Sequence, residues 1–345
     1  MPSAPTAEKM RAVVVDTDIG NFSDDFYAIA YLLSNPRIEI KFILLSGGDT
    51  ALKSQILGKF LAHCGRGDIP IGIGPKTIES PYLVANDVGH LMPSDDYVTG
   101  AKSNPIMREW GASFDLTQRA GKVYSESDSI HRLRDVLDEC AESVLKHDYE
   151  SCQLLTLGTS ENIVHLLEYD NTVLERGNVN LFVMGGTISG EEEYNFMLSP
   201  GHTRRMLRSA PTVVVVPTDV CMESALQLGE LGKRGAYATF LQGNSRISLA
   251  MAQVELALAN FGTHTEVAHG RTDLIFDAVN AFVACGAAPE LFVFEDVEFS
   301  VTNKGRLVRC GTDDAISMQV VMGWANKQAP LKFQMHLAES IANGP

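Results

Sequence analysis

Five short apolar runs rich in β-branched residues, at 12–16, 40–46, 152–158, 180–186 and 212–219, constrain the fold more than any other feature of this chain. None shows the polar alternation of a half-exposed strand. Each therefore reads as a strand covered on both faces, and segments of helical spacing lie between them. Strands alternating with helices predict an α/β fold, a single open and mainly parallel sheet with helices on both faces and a Rossmann-type core. The 345 residues show no internal repeat and no low-complexity linker, which predicts one domain over 12–345 behind a loose tail at 1–11.

Composition removes several classes of function. Hydrophobic residues make up 45% and charged residues 21%, the balance of a folded globular chain rather than a disordered one. A formal charge of −15 repels phosphate backbones and anionic lipid surfaces, so neither a nucleic-acid polymer nor a membrane is expected as a partner. The cysteines at 64, 140, 152, 221, 285 and 310 form no C-x-x-C pair. They fit neither a zinc module nor the disulfide framework of a small secreted domain, and read as buried or free thiols. The N-terminus has no signal-peptide core, and no stretch approaches the ~18 uncharged apolar residues of a membrane span. A cytoplasmic location is expected.

Several local signals refine this frame. Ser23-Asp24-Asp25 precedes Phe26, Ile29, Ala30 and Leu33, spaced like one helical face. Ser23 is the expected N-cap, the two acids suit the positive helix end, and Pro36 should stop the helix near Asn35. Another helix is expected over 129–146. Residues 74–108, interrupted by Gly74-Pro75, Ser80-Pro81, Met92-Pro93 and Asn104-Pro105, form either a binding lid or a solvated connection. Gly72-Ile73-Gly74 lacks the strand and helix context of a dinucleotide fingerprint and reads as a turn. Trp110 and Trp324 read as packing residues, and the Met and Phe residues of 250–262 as a buried helix face.

Acids gather where the predicted strands end. The first run closes in Asp16-Thr17-Asp18, followed by Asp24-Asp25; the second closes in Gly47-Gly48-Asp49. Gly158-Thr159 follows the third, Met184-Gly185-Gly186 with Glu193 and Asn195 the fourth, and Thr218-Asp219 ends the fifth. Asp277 opens a further apolar segment. Open parallel sheets bind ligands beyond the carboxyl ends of their strands. Carboxylates converging there raise one another's pKa unless a positive charge sits among them, and no Lys or Arg cluster is evident nearby. A hard divalent cation, Ca²⁺ or Mg²⁺, is the natural partner. The plainer reading makes Asp24 and Asp25 helix-end residues and Asp16 a turn cap; recurrence of Asp at several strand ends favours the metal.

Taken in order, these residues resemble the nucleoside hydrolase family, whose opening signature is D-x-D-P-G-x-D-D. Asp16-Thr17-Asp18-Ile19-Gly20 and Asp24-Asp25 match it, Gly48-Asp49 stands for Gly-Asn, and 158–162 for G-P-L-T-N. Val183-Met184-Gly185-Gly186, Glu193-Tyr194-Asn195 for E-F-N, Ser199-Pro200, Asp219-Val220-Cys221 for D-V-T and Asp277-Ala278 complete the series. The resemblance implies one Ca²⁺ per chain and hydrolysis of the N-glycosidic bond of a small-molecule ribonucleoside, giving ribose and free base. It implies Asp18, Asp25, the Leu157 carbonyl and Asp277 as calcium ligands, with Asp18 also the general base. Asp24, Met184, Glu193 and Asn195 would line the ribose, Asp49 would sit beside the base, and Asp16 would support the metal loop. Relatives imply a homodimer or homotetramer.

Three departures accompany the resemblance. The loop between Asp18 and Asp24 holds five residues where the family pattern has three, and Ile19 replaces its proline. Phe276 precedes Asp277 where many members place a proton-donating histidine; His90, His264 and His269 read as surface or structural residues. The segment 187–192 reads T-I-S-G-E-E and lacks the family's asparagine. Two other readings stay open: a haloacid-dehalogenase-type phosphatase using D-x-D with Mg²⁺, and a nucleoside-hydrolase-like protein that binds a ribose ligand with little or no turnover.

Overall fold

The computed structural model describes residues 9–20, 23–76, 110–111, 114–190, 192–222, 243–260, 275–311 and 314–345. Ten strands are found among them: β1 (Met10–Thr17), β2 (Ile38–Leu45), β3 (Ile71–Ile73), β4 (Val123–Tyr124), β5 (Tyr149–Thr156), β6 (Asn180–Met184), β7 (Thr212–Val216), β8 (Phe292–Val301), β9 (Leu307–Arg309) and β10 (Ile316–Trp324). They form one sheet in the order β4-β3-β2-β1-β5-β6-β7-β10-β8-β9. Pairing is parallel from β4 to β10, while β8 runs antiparallel to β10 and β9 antiparallel to β8.

Strand β1 explains the layering. Val13 and Val15 pack into the cluster on one face, Ala12 and Val14 into the cluster on the other, and all four are fully buried. A strand that faces two helical layers has no position for a polar side chain, which accounts for its unbroken apolar run. One layer contains the helices Asp24–Ser34, Thr50–His63, Phe276–Cys285 and Ala329–Asn343; the other contains Glu126–Leu145, Glu161–Tyr169 and Pro200–Leu207. Helix Asp24–Ser34 is buried from Asp25 to Ser34, with Tyr31 stacked on Phe282 at 5.4 Å between ring centres. Each fully buried side chain of Phe or Leu size contributes about 1.5–3 kcal/mol.

The five predicted strands are present, and the α/β class with them. Several local expectations are corrected. Met10 and Arg11 belong to β1 rather than to a tail, and Arg11 donates to the Ala284 and Cys285 carbonyls and pairs with Glu150. Gly72 and Ile73 lie in β3, not a turn; a Cβ at Gly72 would come within 2.6 Å of Phe42 Cζ, so the strand needs glycine for close packing. Ser23 stands at the N-cap of Asp24–Ser34, but its side chain makes no capping bond there. The helix expected over 129–146 starts three residues earlier, at Glu126. Residues 218–219 turn out of the fifth strand into a short helix, Thr218–Cys221. Trp110 and Trp324 pack as expected, the first edge-on to Phe26 and the second with its indole N–H donating to the Val220 carbonyl. Ala250, Met251 and Val254 form the buried face of Arg246–Asn260. All six cysteines are free thiols, five of them buried. The tail residues 1–8 and most of the irregular segment, 77–109, lie outside the described residues. No described helix is long and apolar enough to cross a membrane.

Candidate active site

Strand β1 lies between β2 and β5, so chain continuing from its carboxyl end enters the crevice where the strand order reverses. Asp16 is in register with Leu44 on one side and Thr156 on the other. Its buried carboxylate accepts from Asn162 Nδ2 at 3.0 Å, and the same amide donates to the Leu45 carbonyl at 3.0 Å. Burial pushes the Asp16 carboxyl up to about 8, against the opposing pull of its Asn162 hydrogen bond. The Asn162 side chain thus ties the ends of β1 and β2 to the helix after β5.

Directly above, carboxylate oxygens of Asp24, Asp25 and Asp277 lie within 4.8 Å of one another. Asp24 and Asp25 occupy the first turn of one helix and Asp277 the first turn of another, so two positive helix ends face the cluster. Thr17 Oγ1 donates to Asp25 Oδ1. Asp25 and Asp277 are each only 3% exposed. Burial, followed by the Asp18 charge, pushes Asp25 up to about 7. Burial, then the charges of Asp24, Asp25 and Asp18, pushes Asp277 well above the usual carboxylate range. Hard anionic oxygens that repel one another at this distance match what a hard divalent cation binds, and the donor set fits a metal ion.

Asp18 stands beside this group rather than in it. Its carboxyl is raised by burial and pulled back by the Lys53 ammonium. Lys53 is 1% exposed, and its Nζ donates to the Asp18 carbonyl at 2.7 Å and the Ser46 carbonyl at 3.2 Å. Two glycines wall in the Asp18 side chain: a Cβ at Gly47 would lie 3.3 Å from Asp18 Cβ, and one at Gly158 would lie 3.1 Å from it.

The far wall comes from β6 and the segment after it. Glu193 accepts the backbone N–H groups of Gly186 at 2.8 Å, Phe196 at 2.9 Å and Asn195 at 3.0 Å. Burial nonetheless raises its pKa. Asn195 Nδ2 donates to the Leu157 carbonyl at 3.0 Å and the Met184 carbonyl at 3.3 Å. Asp219 gathers Thr187 Oγ1 and the N–H groups of Ile188 and Ser189, which shapes the turn that departs from the family pattern. Asp49 caps helix Thr50–His63 through the Leu52 N–H at 3.1 Å and accepts from Lys76 Nζ at 3.2 Å. Burial acts upward on it, but these partners hold its pKa below the usual range.

The family model for inosine-uridine preferring nucleoside hydrolase matches residues 13–335. The chain belongs to this nucleoside hydrolase family. Its fold is that of solved nucleoside hydrolases. One is a plant nucleoside hydrolase, at 16% identity and TM-score 0.68, covering 95% of this chain and 98% of that one. Another is the purine-preferring ribonucleoside hydrolase of Gardnerella vaginalis, at 15% identity and TM-score 0.66, covering 96% and 99%. A third is the inosine-uridine preferring nucleoside hydrolase of Bacillus anthracis, at 15% identity and TM-score 0.62, covering 96% and 99%. The comparison with curated protein sequences finds no match.

Within this nucleoside hydrolase fold, the structure brings Asp24, Asp25 and Asp277 together, with Asp18 close enough for its charge to act on Asp25 and Asp277. Asp49, Glu193 and Asn195 have structural partners of their own, and the Leu157 carbonyl carries the Asn195 amide. Asn21, Phe22, His90, His264 and His269 lie outside the described residues. Lys53 went unnoticed in the sequence, where no cationic group was evident near the acids. Its signal is position: it precedes Ile56, Leu57 and Phe60 by three, four and seven residues, on the buried face of the helix.

Proposed function

We propose that the chain hydrolyses the N-glycosidic bond of small-molecule ribonucleosides in a calcium-dependent reaction, with 12–345 as one catalytic domain. The observation that carries this reading is the meeting of half-buried Asp24 with buried Asp25 and Asp277 at the crevice of a nucleoside hydrolase fold. Asp25, Asp277, the Leu157 carbonyl and Asp18 would hold the ion, with Asp24 between ion and sugar and Asp16 bracing the loop. A bound calcium ion would orient and acidify the attacking water.

The chain's own groups do the rest. Asp18 accepts the water proton, while the water oxygen bonds to C1′ and the C1′–N pair leaves with the base. Positive charge developing on the sugar is favoured by Asp24 and by the carbonyl and amide oxygens of Met184 and Asn195. Glu193 holds Asn195 and the Gly185-Gly186 turn in place through its three backbone contacts. Phe276 supplies no proton to the departing base; a phenyl ring can only pack there.

The test is riboside cleavage by wild type, by Asp18→Ala and by wild type after chelation. Equal rates in all three would end the proposal. One observation favours the non-hydrolytic alternative: the Asn195 amide and the Glu193 carboxylate are already engaged with backbone groups. Calcium and ribose-ligand binding without turnover of any riboside would select that reading.

A further inference from the structure

A lysine ammonium enclosed by protein is costly unless its donors are satisfied, and this chain places one directly under the proposed general base. Lys53 reaches from the first turn of helix Thr50–His63 to the carbonyls of Asp18 and Ser46. Those carbonyls are the first beyond the ends of β1 and β2, where the last parallel pairing joins Thr17 to Leu45. The Ser46 N–H already donates to the Thr17 carbonyl at 2.9 Å, and the ammonium continues the ladder one step further, to the carbonyls of Asp18 and Ser46. Gly47, with a φ of +66° that favours glycine, turns the chain beside the ammonium, where a Cβ would meet Nζ at 3.5 Å, an ordinary contact.

We propose that Lys53 is a positioning residue: by clamping the Asp18 and Ser46 carbonyls it fixes the direction in which the Asp18 carboxylate enters the crevice. The clamp acts on the backbone, since the ammonium bonds the Asp18 carbonyl and no carboxylate contact is needed. The charge adds to the effect, opposing the burial that raises Asp18 and Asp25. This role rests on the hydrolase reading only for its catalytic consequence. The structural claim, that Lys53 orders the two strand ends, stands without it.

Two variants test it. Lys53→Met keeps the aliphatic stem without a buried charge, and Lys53→Gln keeps an N–H donor without the charge. Amide hydrogen exchange should accelerate at least tenfold in peptides covering 17–20 and 46–49 of Lys53→Met, with the rest of the sheet unchanged. Lys53→Gln should show a smaller rise. If the riboside assay is positive, kcat of Lys53→Met should fall ~10–100-fold with KM within threefold, because a misplacement of ~1 Å at a reacting group costs about that much. Unchanged exchange at both strand ends in both variants would overturn the proposal, as would acceleration spread evenly over the sheet. A wild type that cleaves no riboside removes the hydrolase reading alone, and the exchange result still decides the role of Lys53.

Discussion

Replacing Asp277 by Asn should make the metal-free protein more stable and should remove most of the further stability that calcium gives. Two ionised carboxylates with oxygens no more than 4.8 Å apart repel by ~3.5 kcal/mol or more at an effective dielectric constant of about 20. Asp277 faces two such neighbours, and burial of Asp25 and Asp277 keeps water from screening that pair, while half-buried Asp24 is screened in part. Protonation of these raised carboxyls relieves part of the repulsion at neutral pH, so the effect should grow as pH rises. An unfolding entropy of about 2.1 cal/mol/K per residue over 345 residues converts 1 kcal/mol into ~1.4 °C, so the chelated Asp277→Asn protein should melt roughly 3–5 °C above wild type. Calcium at one hundred times its Kd should raise wild type by ~2.7 kcal/mol, or roughly 4 °C. Losing a direct oxygen ligand should weaken binding at least as much as the ~10–100-fold known for outer partners, which removes most of that rise. Differential scanning calorimetry at pH 8, with chelator and with calcium, reads both effects. A lower melting temperature in chelator, or a calcium-induced rise equal to that of wild type, would refute the view that these acids are spaced for a cation.

Asp18→Asn keeps shape and loses basicity; riboside kcat is expected to drop by ~10²–10⁴, the usual contribution of a general base, and a progress-curve assay checks it. The raised Asp16 carboxyl, at about 8 against an ordinary 3.8, binds a proton in the folded chain that the unfolded chain has released. Metal-free stability should therefore fall as pH rises from about 4 to 8, by up to ~1.4 kcal/mol per pH unit, and urea titrations across that window should show the slope. Gly158→Ala would place a Cβ 2.7 Å from Ser46 Oγ and 3.2 Å from Asp18 Cγ, pushing the proposed base aside. Its kcat should fall ~10–100-fold with the far-ultraviolet circular dichroism of wild type, and an unchanged rate would count against the placement of Asp18.

The sequence by itself determined the α/β class, because β1, β2, β5, β6 and β7 are covered on both faces over most of their length and carry predominantly apolar runs. The remaining strands were not legible. Strands β3, β4 and β9 are two or three residues long, and β8 and β10 face solvent in part, so neither length nor period marks them. Adjacency in sequence also located the acids at the strand ends and, with the motif series, the family. Only tertiary structure decided which acids meet. Asp277 is brought to Asp24 and Asp25 by the packing of helix Phe276–Cys285 against helix Asp24–Ser34, a contact between residues about 250 apart that no local pattern encodes. The same is true of Lys53. As a letter in a chain it is an ordinary helical lysine; the fold turns its helix face inward and leaves the ammonium two backbone carbonyls, one of them belonging to Asp18.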